Sequence, residues 1–67
     1  MSDKLWFVTN GVSPTAVFIE KARAEEELNR FTDDPDFEYY SCYSLRIAEL
    51  DDYPEEYDLA LERGVID

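Results

Sequence analysis

The sequence predicts an α+β fold: a small ββαβα domain whose three strands form an antiparallel sheet in the order 2-1-3. Three observations predict it. Two apolar, β-prone runs flank a turn signal, a run with helical spacing follows them, and an alternating tyrosine-rich run precedes a stretch with paired helix start and stop signals.

The elements follow in order. "KLWFVT", residues 4 to 9, reads as the first strand, and "TAVFIE", 15 to 20, as the second. Between them "NGVSP" carries Asn-Gly and a proline, which marks a hairpin connection. In "KARAEEELNRF" Ala24, Leu28 and Phe31 fall at i, i+4 and i+7, one face of a helix. Glu26 stands four residues before Arg30, the favourable order for a helical ion pair. "TDDPD", 32 to 36, breaks the helix. "FEYYSCYSLRIAEL", 37 to 50, then alternates, with Phe37, Tyr39, Tyr43, Leu45 and Ile47 on one side and Glu38, Ser44 and Arg46 on the other. As a single strand it would run about 43 Å, twice the length of the hairpin strands, so it must bend at a bulge, end early or overhang.

The last element spans about 54 to 63. Asp51 or Asp52 can cap it, Pro54 suits its first turn, and Glu55, Glu56 and Asp58 favour the positive end of the helix dipole. Tyr57 and Leu61 share a face. Gly64 fits the left-handed position just past the end, which would let Val65 close back on Ala60. The first helix carries the chain back, so the third strand runs parallel to the second and antiparallel to the first. Order 2-1-3 then makes every pairing antiparallel and centres "LWFVT", which is apolar on both faces. The first helix covers one sheet face; the other carries a share of the remaining aromatics, and the second helix covers it only in part.

Bulk composition bounds the rest. Sixty-seven residues make one domain, 1–67, with a ββαβ core over 4–50 and an acidic helix and tail over 51–67. A chain this size buries only about 60% of its unfolded surface. Ten Phe, Tyr and Trp residues, each able to bury roughly 150–250 Å², supply the compensating area. The 45% hydrophobic content argues against disorder despite a net charge of −11. Cys42 is the only cysteine, which excludes an internal disulfide and fits a reducing, cytoplasmic setting. The N-terminal residues lack the features of a signal peptide, and no apolar run approaches the roughly 20 residues that span a bilayer.

Much chemistry has no residues to perform it. The sequence has no histidine, so the commonest general base and neutral metal ligand are missing. Cys42 and the nearby Ser41 and Ser44 lack a base to activate them, and Cys42 reads as a small core hydrophobe. Glycines only at 11 and 64 leave no phosphate-binding loop. Asp34, Asp36 and Glu38 sit at alternate positions, as at the start of a calcium loop, but without its turn glycine and distal glutamate. The expectation is a protein that is not an enzyme and holds no cofactor and no metal.

"AVFIEKARAEEEL", followed by the tyrosine-rich "FEYYSCYSL", resembles a pattern in small uncharacterised ββαβ bacterial and phage proteins. In these a hairpin ends in Val-Phe and a helix opens with Lys-x-x-Ala-Glu-Glu. The resemblance covers residues 5 to 49. It departs at the helix start, where Ile19-Glu20 replaces the usual Ser, Thr or Asp cap, and in the extra acidic C-terminal helix. Some acidic phage-encoded proteins of this size inhibit host enzymes or host defence. The resemblance therefore implies a phage inhibitor acting in the host cytoplasm, and it assigns no functional residues.

Charge provides the remaining signal. Eight acids fall between Glu49 and Asp67, opposed only by Arg63, and four more are Asp33, Asp34, Asp36 and Glu38. Solubility needs a net charge of only about 2–8 in magnitude. Such a chain repels nucleic acid and anionic membranes and attracts basic protein surfaces. The candidate partner-binding residues are Asp51, Asp52, Tyr53, Glu55, Glu56, Tyr57 and Asp58, with Asp33, Asp34 and Asp36. Carboxylates on a rigid element would occupy a groove built for DNA, and the tyrosines would stack where bases sit. The expected partner is the basic cleft of a nuclease, polymerase or defence complex. The alternative is an adaptor or homodimer that pairs through an overhanging third strand with its Tyr39, Tyr40 and Tyr43 cluster.

Overall fold

The computed structural model describes residues 3–66; Asp67, counted above among the acids, lies outside them. The chain runs β1 (Lys4–Thr9), β2 (Pro14–Phe18), α1 (Lys21–Asn29), β3 (Ser41–Arg46) and α2 (Pro54–Glu62), with 3-10 segments over Phe37–Tyr39 and Ile47–Asp52. The strands form one antiparallel sheet in the order β2-β1-β3, as the sequence predicts.

β1 is central because both of its faces need covering. Leu5 and Phe7 point to one side, where Val17, Leu45, Leu50 and Ala60 complete the main core. Tyr43, Tyr57, Leu59, Val65 and Ile66 pack around that cluster. Trp6 and Val8 alternate to the opposite side. There α1 lies across the sheet, with the Lys21 ammonium 5.5 Å from the centre of the Trp6 ring. Val8 and Ala24 are fully buried, outside the first cluster. Thus α1 covers the Trp6 face and α2 covers the Phe7 face.

The hairpin turn is fixed by its side chains. Asn10 Oδ1 accepts the N–H groups of Val12 and Ser13 at 2.9 and 3.1 Å, and the Thr9 hydroxyl donates to the Ser13 carbonyl at 3.0 Å. Gly11 adopts φ +92°, and a Cβ there would lie 3.1 Å from both the Cβ and the carbonyl oxygen of Tyr39. The turn and the end of the α1–β3 connection are therefore in close contact. A smaller aromatic cluster fills that connection, with Phe31 and Tyr40 stacked at 4.8 Å and Phe37 and Tyr40 at 6.4 Å.

Several elements differ from the sequence expectation. The third strand ends early on both sides: it pairs with β1 from Thr9↔Ser41 to Lys4↔Arg46 and stops where its partner stops. Phe37 and Tyr39 lie in a 3-10 turn before it, Ile47 in another after it, and Tyr39 and Ile47 are exposed rather than on a core face. Nothing overhangs. β2 begins one residue sooner than expected and ends two sooner. α1 ends at Asn29, which puts Phe31 in the following turn. Arg30 pairs with Glu27 at 3.2 Å, in an i, i+3 pair, instead of with Glu26. Asp51 and Asp52 belong to the second 3-10 segment, and α2 is entered at Tyr53 without a side-chain cap. Leu61 is exposed; the inward position on α2 is Ala60. The end of α2 follows expectation: Gly64 has φ +75°, and the Val65 N–H donates to the Ala60 carbonyl at 3.1 Å.

Leu50 is the residue by which the chain after β3 enters the core, and it is almost completely buried. Leu50→Ala should lower stability by about 2–5 kcal/mol, the range for emptying a well-packed leucine site. In a domain this small, thermal unfolding should then fall by at least about 10 °C, a shift readable by circular dichroism.

Candidate functional site

The candidate site is the outer face of residues 51–62. Its inner face fixes it in place. Leu50 and Ala60 are buried in the main core, and Tyr57 and Leu59 pack against them. The Tyr53 N–H donates to the Leu50 carbonyl and the Tyr57 N–H to the Tyr53 carbonyl, which joins the 3-10 segment to α2. Pro54 opens the helix, and Glu55 and Glu56 occupy its first turn beside the unpaired N–H groups.

With the apolar side chains turned inward, the acids are left outside. Asp51, Asp52, Glu55, Asp58 and Glu62 are all exposed. Among the described residues none of the five forms an ion pair, because the salt bridges of this chain lie elsewhere: Lys21 with Glu25, Arg30 with Glu27, and Arg46 with Glu49. Tyr53 stands among these acids with its ring exposed, whereas Tyr57 belongs to the core side.

Glu56 is held differently. The Tyr43 hydroxyl donates to Glu56 Oε1 at 3.1 Å, and the Tyr43 ring stacks on the buried Phe7 ring at 5.7 Å. One acid of the face is thereby tied through Tyr43 to the centre of the sheet. Burial pushes the Tyr43 pKa far above its ordinary value of 10.0, and the Glu56 charge, the hydrogen bond to Glu56 and the charges of Glu55 and Tyr53 add to the shift. From the sequence Tyr43 was singled out only for a strand-pairing cluster with Tyr39 and Tyr40, and not for this face. Its signal was present in the alternation of β3, since an inward tyrosine still needs a partner for its hydroxyl.

The second predicted group lies on a different connection. Asp33, Asp34 and Asp36 lie in the α1–β3 connection, where Asp34 Oδ1 accepts the Asp36 N–H at 2.8 Å. That connection joins β3 at Ser41, whereas the chain toward α2 leaves it at Arg46. The two acidic groups therefore lie on connections that join opposite ends of β3. The Asp34–Asp36 contact is a local turn. Among the described residues no three or more Asp, Glu, Cys or His side chains gather as a metal site.

The chemistry this face offers is concentrated negative charge with one exposed aromatic ring. No protein-family model matches the chain, and no curated protein or solved structure is similar to it. The functional reading therefore rests on the geometry of the chain itself.

Tyr43 provides a pH test. Its folded pKa is raised, so the stability it contributes is fully present below the unfolded value near 10 and is lost as pH climbs beyond it, while the unfolded chain ionises first. Stability should fall above about pH 10 in part through this residue. Tyr43→Phe should remove that part and lower neutral-pH stability by about 1 kcal/mol through loss of the bond to Glu56. Ultraviolet titration should show one phenol ionising after the others in the native protein and none doing so in the variant.

Proposed function

We propose that this protein is a non-enzymatic inhibitor that binds by occupancy: the acidic face of residues 51–62 enters a basic cleft of a nucleic-acid-handling protein, such as a nuclease, polymerase or defence complex, and blocks it. The observation that carries the reading is the set of five exposed carboxylates without ion pairs on a segment docked into the core by Leu50 and Ala60.

Spacing supports it. Asp51, Asp52, Glu55, Glu56, Asp58 and Glu62 fall within roughly 18 Å of helical path. That is about one charge per 3 Å of axis, close to the one charge per roughly 3.4 Å of axis that a single strand contributes to duplex DNA. The density is about half that of a duplex, so the face is suited to the part of a basic groove that follows a single strand. Order supports it as well. A diffuse acidic tail loses conformational entropy on binding, whereas these side chains already project from a folded element. Tyr53 adds an aromatic surface within the acidic patch.

The alternative of pairing through strand 3 keeps the open outer edge of β3 but not the overhang, because β3 is matched in length to β1.

The test is retention of heparin-binding proteins from a cell extract on the immobilised protein, at low and high salt, with duplex DNA as competitor. Basic nucleic-acid-binding proteins should be retained at low salt and released by either salt or DNA, since attraction between charged surfaces is screened within about 8–10 Å at ordinary ionic strength. A variant carrying D51N, D52N, E55Q and D58N leaves the Tyr43–Glu56 bond in place and should retain at least about tenfold less. Equal retention by that variant, or a complex indifferent to salt, would overturn the proposal.

A further inference from the structure

The outer edge of β2 has a different character from the rest of the surface. β2 ends the sheet, so alternate N–H and C=O groups along it have no neighbouring strand. A recess of about 400 Å³ is lined by the consecutive residues Thr15, Ala16, Val17 and Phe18, by Glu27 and Phe31 from the α1 side, and by Arg63 and Val65 from the α2 side. Consecutive strand residues point to opposite faces. Only a groove that runs over the edge itself, between the two helical layers, touches all of them. A second recess of about 430 Å³ continues it past Phe18 to Ile19, Glu20 and Arg23. Ile19 lies there with 57% of its surface exposed.

The charge of this edge differs from the molecule's. The whole chain carries −11, yet two of its six cations, Arg23 and Arg63, line the groove and balance Glu20 and Glu27. Glu27 is already engaged by Arg30. Among the described residues Arg23 and Arg63 form no ion pair, although acids outnumber bases by 17 to 6. One projects from the α1 layer and the other follows α2, so they flank the edge from opposite sides.

We infer that the β2 edge is a second binding surface, for an extended segment of a partner polypeptide that adds as a fourth strand and carries two carboxylates, one for Arg23 and one for Arg63. Backbone pairing supplies affinity that is independent of sequence, and the flanking groups supply selectivity. The side chains of an added strand alternate between the two layers. Its two acidic residues must therefore stand an odd number of positions apart, with apolar residues between them to meet Ile19, Phe18 and Val65. This surface is separate from the acidic face, and its test does not depend on the inhibitor reading.

The probe is a fluorescein-labelled, end-blocked peptide of sequence Thr-Glu-Val-Val-Asp-Val-Thr, in which the two acids stand three positions apart, followed by anisotropy and by amide chemical shifts of the protein. Saturable binding is expected, with shifts centred on residues 15–20, 23 and 63–65. The Gln-Asn counterpart of the peptide should bind about tenfold more weakly to the unaltered protein, as should a peptide whose two acids are moved to an even spacing. Arg23→Glu with Arg63→Glu, both at exposed positions, should abolish binding of the acidic peptide and create binding of its Lys-Lys counterpart. Equal binding of the acidic and amide peptides, shifts located elsewhere, or no binding by any of them overturns the inference. So does a concentration-dependent dimer in sedimentation that shifts the same amides, which would make the occupant a second copy of this chain.

Discussion

The structure depends on the burial of β1 on both of its faces. Leu5 and Phe7 on one side and Trp6 and Val8 on the other cannot be covered by a two-layer arrangement, so the six-residue strand must lie centrally and a helix must cover each face. Two flanking strands and two nine-residue helices do this. The outer edges of β2 and β3 stay open, and both proposed surfaces follow from how the flanking elements are placed.

The placement of α2 decides where the acids go. Leu50, Tyr57, Leu59 and Ala60 must face Phe7, Val17 and Leu45, which leaves Asp51, Asp52, Glu55, Asp58 and Glu62 outward. Their mutual repulsion costs stability. The first-turn acids recover part of it from the helix dipole, and the core contact of Leu50 supplies the rest. The three salt bridges seen elsewhere are exposed and contribute little, so the fold does not depend on neutralising its charge. What stabilises the chain is apolar area, and the acids are free to serve another purpose.

Much of this was legible in the sequence. The apolar run on both faces of residues 4 to 9 was enough to select order 2-1-3, and Pro54 and Gly64 bracketed α2 to within a residue. The third strand was misjudged because alternation in residues 37 to 47 records side-chain character but not the length of the partner. β1 offers six residues, and β3 can pair with no more. Beyond that limit Phe37 gains more by stacking on Tyr40 in a 3-10 turn, where residues three apart lie on one side. The capping role expected of Asp51 or Asp52 failed for a similar reason: Leu50 has to reach the core, and the turn that takes it there absorbs both aspartates. Of the candidate site, the segment was readable but its anchor was not. The contact between Tyr43 and Glu56 spans 13 positions and exists only once the sheet is assembled.

The two surfaces meet on one helix, and distance decides whether they interfere. α2 has its first-turn acids at one end and Arg63 just past the other. Nine residues of helix extend about 13 Å. At physiological ionic strength charges are screened over about 8 Å, so a ligand at the Arg63 end experiences the adjacent Glu62 but Glu55 and Glu56 only weakly, and a basic surface at the other end is little affected by Arg63. At low salt the screening length exceeds the helix and the acids dominate throughout the molecule. An acidic segment would then be repelled from the β2 edge just as a basic cleft is drawn most strongly to the acidic face. The helix dipole adds to the division, because it favours acids at the start of α2 and a cation at its end. Ionic strength therefore acts on the two surfaces in opposite senses at long range, and a single element can present opposite charges to two different partners without either cancelling the other.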